Sequence, residues 1–588
     1  MSSKFSHINE KLFFSKEISS IGTTGTVKLL RGKAARLLNF VGRSLSYSST
    51  RSYGSFMLSF GLVSLLLNLG EYYFMDEPEV SAQTLITCMV IALLSIPLLV
   101  FDKPICIAAQ DVPLTDHLLF EFFAIKRMHR GVEHPSIPPL VALFLGFIPA
   151  TVGFFLPIWW VILGLFLIVV VTVAFTSPEF PMILTLLSLP YIPAFPHSAV
   201  IISAMSIICF LAYALKVVVG KRVFHFDFYD VIILLAMTVV FMSGTVGLGD
   251  NSLINALLFI SLMLGYFPAS NIIVNRRLAD SAIKSVIVSA VPIAVISIIE
   301  FIVELPSTSY KAPPYSTPGT SALFSSPMAL AAFLLVCAIL TLVFAIEKKN
   351  KLSRSVYFFI FTIELGVLGL IMQPEAWVAA VIALLAYPIL KSRKIPLDAL
   401  VILIAIPYLI FLLPNTFLDT VSDYFDLPMS YSGKLGAFRR AFGVFVDNIW
   451  IGIGNGDGAY MKAAGRVKDG TFNALLGISV EFGIFLLILI VLMIILWLRQ
   501  LSYYRLYMRN SLVCATGDMA ALAIIALLAL GAFDYIFSDV SVFYLFWSVF
   551  AISTAALRTA KKEHDDRLGY YSDSRSSESS ALDIGINK

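Results

Sequence analysis

Long apolar runs recur along the chain, each closed by a short polar or proline-bearing turn, and this alternation predicts helices that cross a membrane rather than a soluble core. Apolar runs fall at 55–75, 82–101, 138–155, 157–175, 180–195, 198–217, 229–247, 252–271, 284–303, 328–346, 355–372, 376–391, 398–413, 474–498, 516–537 and 540–557. A crossing needs about 17–25 residues, so the Pro-broken run at 180–195 and the short ones at 376–391 and 398–413 are the weakest of the set. The 138–175 stretch, broken only by Pro149 and Pro157, is too long for one crossing and predicts a tight helical hairpin. The expected architecture is all-α and polytopic, with about 14–16 transmembrane helices.

Two polar segments interrupt the pattern. Residues 304–327 carry four prolines (Pro306, Pro313, Pro314 and Pro318) ahead of Pro327, together with Tyr310 and Tyr315, which predicts a stiff extended loop with aromatic faces suited to stacking on sugar rings or to sitting at the lipid interface. Residues 414–473 form the largest polar stretch. Within it, 433–447 has helical spacing, with Leu435, Phe438, Phe442, Phe445 and Val446 sharing one face and Arg439, Gly443 and Asp447 lying away from it. This predicts an amphipathic helix at the membrane surface that holds guanidinium groups at headgroup depth. The following Gly452-Ile453-Gly454-Asn455-Gly456-Asp457-Gly458 is too glycine-rich for helix. It leaves two options: backbone amides open to an anion, or a sharp turn. The domain plan is a basic arm at 1–52, a membrane domain at 53–557 and a polar, Ser-rich tail at 558–588 read as disordered and cytoplasmic. A basic amphipathic helix over 25–45 fits the inner leaflet.

Composition agrees: 58% of residues are apolar and 14% charged, and the mean hydropathy is +0.87. Charge placement then orients the chain. With the N-terminus in the cytoplasm and each run taken as one crossing, all but seven of the 42 Lys and Arg fall on the inner side, and both termini are cytoplasmic. The seven are Lys311 and, within the large loop, Lys434, Arg439, Arg440, Lys462, Arg466 and Lys468. Six cations gathered where the rule otherwise clears them point to an anionic ligand.

Several chemistries find no footing. No P-loop, dinucleotide fingerprint or CxxC pair occurs, which argues against an ATP-driven pump, a cytoplasmic nucleotide-sugar enzyme or a redox protein, and nothing suggests nucleic acid. Cys88, Cys106, Cys209, Cys337 and Cys514 lie in runs or on the inner side, away from any external disulfide. Asp116, His117, Glu121 and His129 have no established ligand spacing, so no metal or other cofactor is expected.

The order of parts in the large loop carries the strongest signal. Ser432-Gly433-Lys434, a helix with basic and aromatic residues, Asp447-Asn448-Ile449-Trp450-Ile451-Gly452-Ile453-Gly454-Asn455-Gly456, a polar gap, then Asn473-Ala474-Leu475-Leu476 and Val480-Glu481-Phe482-Gly483-Ile484 opening a span resembles the signature loop of the O-antigen ligase and polymerase family. Phe324-Ser325-Ser326-Pro327 resembles, more loosely, that family's Asn-Pro-Asn opening of an earlier span. The resemblance implies a glycosyltransferase of the cell membrane that works on its outer face without metal or nucleotide sugar. It would move a glycan from an undecaprenyl-diphosphate carrier to a glycan or lipid acceptor. Three departures stand out: Phe472-Asn473 replaces the family's His-Asn, Lys434 its Arg, and Gln373-Pro374-Glu375-Ala376-Trp377 an Arg-bearing turn.

Phenylalanine accepts no proton, so an active enzyme needs another base. External carboxylates qualify: Glu375, Asp423 and Asp457 foremost, with Asp426, Asp447 and Asp469 behind them. Lys434, Arg439, Arg440 and Arg466 are the expected diphosphate ligands, and Asn473 and Glu481 complete the substrate-binding set. A glycan-binding or assembly protein of the same fold, and a lipid-linked oligosaccharide transporter, remain as alternatives. The ionisable residues a transporter would place in mid-membrane are Glu364, Glu481 and Asp534.

Overall fold

The structure is a computed structural model that describes residues 16–18, 40, 42, 44–74, 82–125, 127, 136–218, 222–273, 276–303, 321–371, 373–391, 398–410, 431–464, 471–508 and 514–585. It is almost wholly helical, apart from a short antiparallel pair of β1 (Lys16–Ile18) with β2 (Phe224–Phe226). Twelve of its helices are long and apolar enough to cross a membrane, and four shorter apolar helices, Pro139–Phe155, Glu179–Ser188, Ala399–Leu409 and Cys514–Leu530, accompany them. The protein is an all-α, multi-pass membrane protein.

The chain divides into two compact units. One comprises Ser19–Pro181 and Leu211–Val223. In it α1 (Thr50–Phe74) packs between α2 (Ala82–Val100) and the predicted hairpin, which forms as α4 (Pro139–Phe155) and α5 (Ile158–Thr176). Between α2 and α4, a short helix α3 (Ile105–Asp111) leads to polar groups that pair among themselves: His117 Nδ1 lies 2.6 Å from Glu121 Oε2, and Arg127 bonds Asp116 at 2.6 Å. His129 lies outside the described residues. Phe144, Phe147, Trp159, Trp160 and Phe166 stay exposed on α4 and α5, as lipid-facing side chains do. Arg222 is ion-paired with Glu179.

The other unit holds Met1–Ile18, Met182–Phe210 and Phe224–Lys588, so α6 (Glu179–Ser188) and α7 (Ser198–Val218) contribute to both. Its helices are α8 (Phe228–Val246), α9 (Ser252–Leu264), α10 (Tyr266–Ile272), α11 (Arg276–Val303), α12 (Pro327–Glu347), α13 (Lys351–Leu370), α14 (Pro374–Lys391), α15 (Asp398–Ile410), α16 (Tyr431–Asp447), α17 (Ala459–Ala463), α18 (Ala474–Met508), α19 (Cys514–Leu530) and α20 (Val540–Gly585). Three of them form the core: α12, α19 and α20 are buried along nearly their whole apolar length.

Polar clasps mark the two ends of this unit. At one, Lys391 bonds Glu347 (3.0 Å) and Asp518 (2.9 Å), and Arg558 pairs with Asp227, the N-cap of α8. At the other, Ser325 Oγ donates to Asp539 Oδ2 at 2.5 Å, and Asp539 in turn caps α20 by accepting from the amides of Ser541 and Val542. The Phe324–Pro327 segment is thus a helix start, with Ser326 accepting from Ala329 N at 3.1 Å and Pro327 in the first turn.

Two boundaries differ from the sequence reading. The 516–537 run ends as helix at Leu530, and residues 531–539 form turns and a short 3-10 segment, Ile536–Ser538, because Gly531 and Asp534 break the pattern. The tail read as disordered continues α20 as helix to Gly585.

Candidate functional site

The site is built where two distant glycine motifs meet. Helix α16 forms as the spacing predicts. Ala437, Ala441, Val444 and Phe445 are buried, whereas Phe442 and Val446 are each 51% exposed. The contact with α18 combines small residues, which allow close backbone approach, with Phe445 and the part-buried Phe438, while Phe442 and Val446 stay on the flank. Arg439 and Arg440 lie on the exposed surface of this helix.

After Asp447 the chain straightens and wedges into α18. Ile453 N donates to Val480 O (2.9 Å), Gly454 N to Glu481 O (2.9 Å), and Ile484 N to Ile449 O (2.8 Å). The loop therefore supplies strand-like bonds to a turn of α18 that has opened, with Gly483 at φ 79°, ψ −175°. Each motif requires glycine in the other: a Cβ on Gly483 would lie 2.3 Å from Trp450 O, and one on Gly452 (φ +74°) would lie 2.5 Å from Glu481 O. Ser243 Oγ, from α8, adds a second bond to Glu481 O at 2.8 Å. The glycine run is thus a close-approach device. The amides of Gly452, Ile453, Gly454 and Asp457 are bonded within the protein, so of the two options the sequence left for this run, these four amides take the turn.

The loop is pinned on its other side as well. Asp457 exchanges backbone bonds with Asp250 (2.8 and 3.1 Å), and its carboxylate accepts from Asn251 Nδ2 (3.2 Å) and Asn255 Nδ2 (3.4 Å). Lys462 reaches Asp250 at 2.9 Å. These contacts occupy Asp457 as a latch.

Beneath the loop lies a cavity of about 490 Å³, lined among others by Asn455, Tyr460, Thr471, Glu481, Asp534, Tyr535 and Ser538. Tyr535 Oη donates to Glu481 Oε2 at 2.7 Å. Burial, and then the adjacent Glu481, push the Tyr535 phenol well above its ordinary pKa, so it remains a donor at any physiological pH. The arrangement is two carboxylates, several hydroxyls and an amide converging on one space, with Glu481 oriented by a fixed phenol: a surface suited to a polyhydroxyl ligand and to accepting a proton from it.

The sequence candidates separate against this cavity. Glu481 lines it. Asn473 does not: its Nδ2 donates to Ala532 O (2.9 Å) and its Oδ1 accepts from Leu476 N (3.1 Å), making it the N-cap of α18 and a tie to the 531–532 turn. Asn473→Ala is expected to lower stability by about 1–3 kcal/mol, read as a fall in thermal midpoint with transfer or binding per folded molecule little changed. Phe472 is half-buried beside Asn473, but Thr471, not Phe472, lines the cavity. Glu375 is 1% exposed in the first turn of α14. It lies at the cavity end of the bundle, because Lys391 at the far end of α14 pairs with Asp518 near the start of α19, but it is outside the lining. Lys434 is placed on α16 by its backbone. Asp423, Asp426, Arg466, Lys468 and Asp469 lie outside the described residues. Tyr535, Ser538, Tyr460, Thr471 and Asn455 escaped the sequence reading; the only signal was the polar cluster of Asp534, Tyr535, Ser538 and Asp539 inside an apolar run. Neither a protein-family model nor a curated protein matches this sequence.

Proposed function

We propose that this protein transfers a polyprenyl-diphosphate-linked glycan, of the undecaprenyl type, to a glycan or lipid acceptor on the outer face of the cytoplasmic membrane. The observation that carries the reading is Glu481, held by Tyr535 in a polar cavity at an interrupted membrane helix. Non-helical backbone at membrane depth is tolerated where it is buried in protein or lines a water-filled cavity. The cavity end is also the end that the distribution of Lys and Arg puts outside.

In this reading the acceptor hydroxyl attacks the anomeric carbon, its proton passes to Glu481, and the bond from that carbon to the diphosphate oxygen breaks with the electron pair leaving on the diphosphate. Arg439 and Arg440, with Lys434 on the same helix, face the growing phosphate charge. Arg439→Ala or Arg440→Ala is expected to weaken binding of a polyprenyl-diphosphate glycan by about 1.5–3 kcal/mol at the residue that makes the contact, and Lys at that position would not fully restore it. Unchanged binding in both variants would remove the diphosphate site.

Among the described residues that line the cavity there is no Lys or Arg, and a glycan-binding protein without transfer activity is the competing reading. Purified protein in bilayers supplied with lipid-linked repeat units separates the two: transfer or chain growth supports the enzyme, and binding without either supports the binder. Orientation is tested independently. A cysteine placed at exposed Asp457 is expected to react with an impermeant maleimide added outside whole cells; reaction only after permeabilisation would invert the topology.

A further inference from the structure

Glu364 is an ionisable group that the cavity does not use. It sits on α13, about 20 Å along the axis from Lys351 at 1.5 Å per residue, and is 0% exposed. Neither of its carboxyl oxygens has a hydrogen-bond partner, and the hydroxyl of the adjacent buried Thr341 on α12 lacks one too. Cys337 of α12 is the other titratable side chain that senses this carboxyl. On α11, the other helix packed against α13, no residue between Lys284 and Glu300 is ionisable; α13 itself offers Tyr357 and Arg354 only toward its start. A carboxylate in this apolar enclosure would stand without a cation and with the Thr341 hydroxyl as its one neighbouring donor, an arrangement costing far more than a hydrogen-bonded neutral acid. The most economical occupant of two orphaned carboxyl oxygens beside an orphaned hydroxyl is a proton.

We propose that Glu364 and Thr341 form a proton-binding site within the membrane. With the proton on, the carboxyl is neutral and α13 lies against α12. With it off, the charge has only the Thr341 hydroxyl to accept from within the closed pair. This site is separate from the Glu481 cavity and does not depend on the glycan reading.

The probe is dicyclohexylcarbodiimide, which reacts with protonated carboxyls in apolar surroundings, applied to the full-length protein in bilayers and read by peptide mass spectrometry. Labelling at Glu364 is expected, and is expected to fall by roughly tenfold or more between about pH 6 and about pH 10 as the proton leaves. Glu364→Gln, close in shape and without charge, should remove it. Thr341→Val, which takes away the one hydroxyl able to turn toward the charged form, should move half-labelling to higher pH. Absent labelling, or labelling flat across that range, would overturn the proposal. Protection by sodium at constant pH would also overturn it, by assigning the site to a metal cation. Should Glu364→Gln fail to fold, the Thr341→Val shift and the sodium comparison still decide the matter.

Discussion

Replacing Gly483 by alanine is expected to disrupt the site and to destabilise strongly the folded unit around it. The residue sits at φ 79°, ψ −175°, a region essentially closed to side chains and costing about 1–3 kcal/mol to occupy. The added methyl would also lie 2.3 Å from Trp450 O, a backbone atom held by its own neighbours rather than a flexible side-chain tip. Overpacking of that kind costs about 1–3 kcal/mol more. A total of about 2–6 kcal/mol is a large share of the ~5–15 kcal/mol by which folded domains are typically stable. The measurement is thermal unfolding in detergent, paired with quenching of Trp450 fluorescence, since separation of the loop from α18 frees that ring from Phe485, now 5.8 Å away between centroids. Gly443→Ala supplies the control: it lies on the exposed side of α16 with open space where the methyl would go, and should be neutral or stabilising by up to about 1 kcal/mol. If both variants unfold alike, the interlock between loop and helix is not what holds the site.

That interlock shows where sequence reading reached and where it stopped. The apolar runs predicted helices well because a membrane demands long unbroken apolar stretches, and the structure has a helix at each of those places, twelve of them long and apolar enough to cross. The two glycine motifs were recognisable as unusual. Their partnership was not, because Val480-Glu481-Phe482-Gly483-Ile484 is hydropathically continuous with the span behind it. The opening of the helix there is imposed by residues 449–454 arriving from outside, a tertiary event with no local period to reveal it. Which residues of α16 meet the bundle was not legible for a related reason. Periodicity weights bulky residues such as Phe442, while close packing between helices selects small ones such as Ala441. Tyr535 was hidden inside an apolar run whose end fell earlier than hydropathy suggested. The carboxylates ranked first by exposure of their loops, Glu375 and Asp457, turn out to be buried in a helix start and occupied as a latch, and exposure of a loop says nothing about either condition.

On the transfer reading, Glu481→Gln is expected to lower turnover by about 100-fold or more, the usual scale for losing a general base. The substitution is chosen because it separates chemistry from architecture. Glutamine keeps an oxygen that can accept from Tyr535 Oη, and the contacts that hold the opened helix run through the backbone carbonyl of residue 481, which receives Gly454 N and Ser243 Oγ. Folding and glycan binding should therefore survive while the proton has nowhere to go. Tyr535→Phe removes only the donor that orients the carboxylate, so its effect should be smaller, on the order of tenfold, and should fall on turnover more than on binding. Asp534→Asn tests the other carboxylate in the same cavity: a loss there with Glu481→Gln near native would move the base to Asp534. Phe472→His, which restores the imidazole of the resembled family, should change little, because position 472 is not among the residues that line the cavity. The measurement for all four is the initial rate of glycan transfer in bilayers beside binding of the same lipid-linked glycan. Native-like rates, within about threefold, in both carboxylate variants would remove acid–base chemistry from this cavity and leave it as a place where glycan is held.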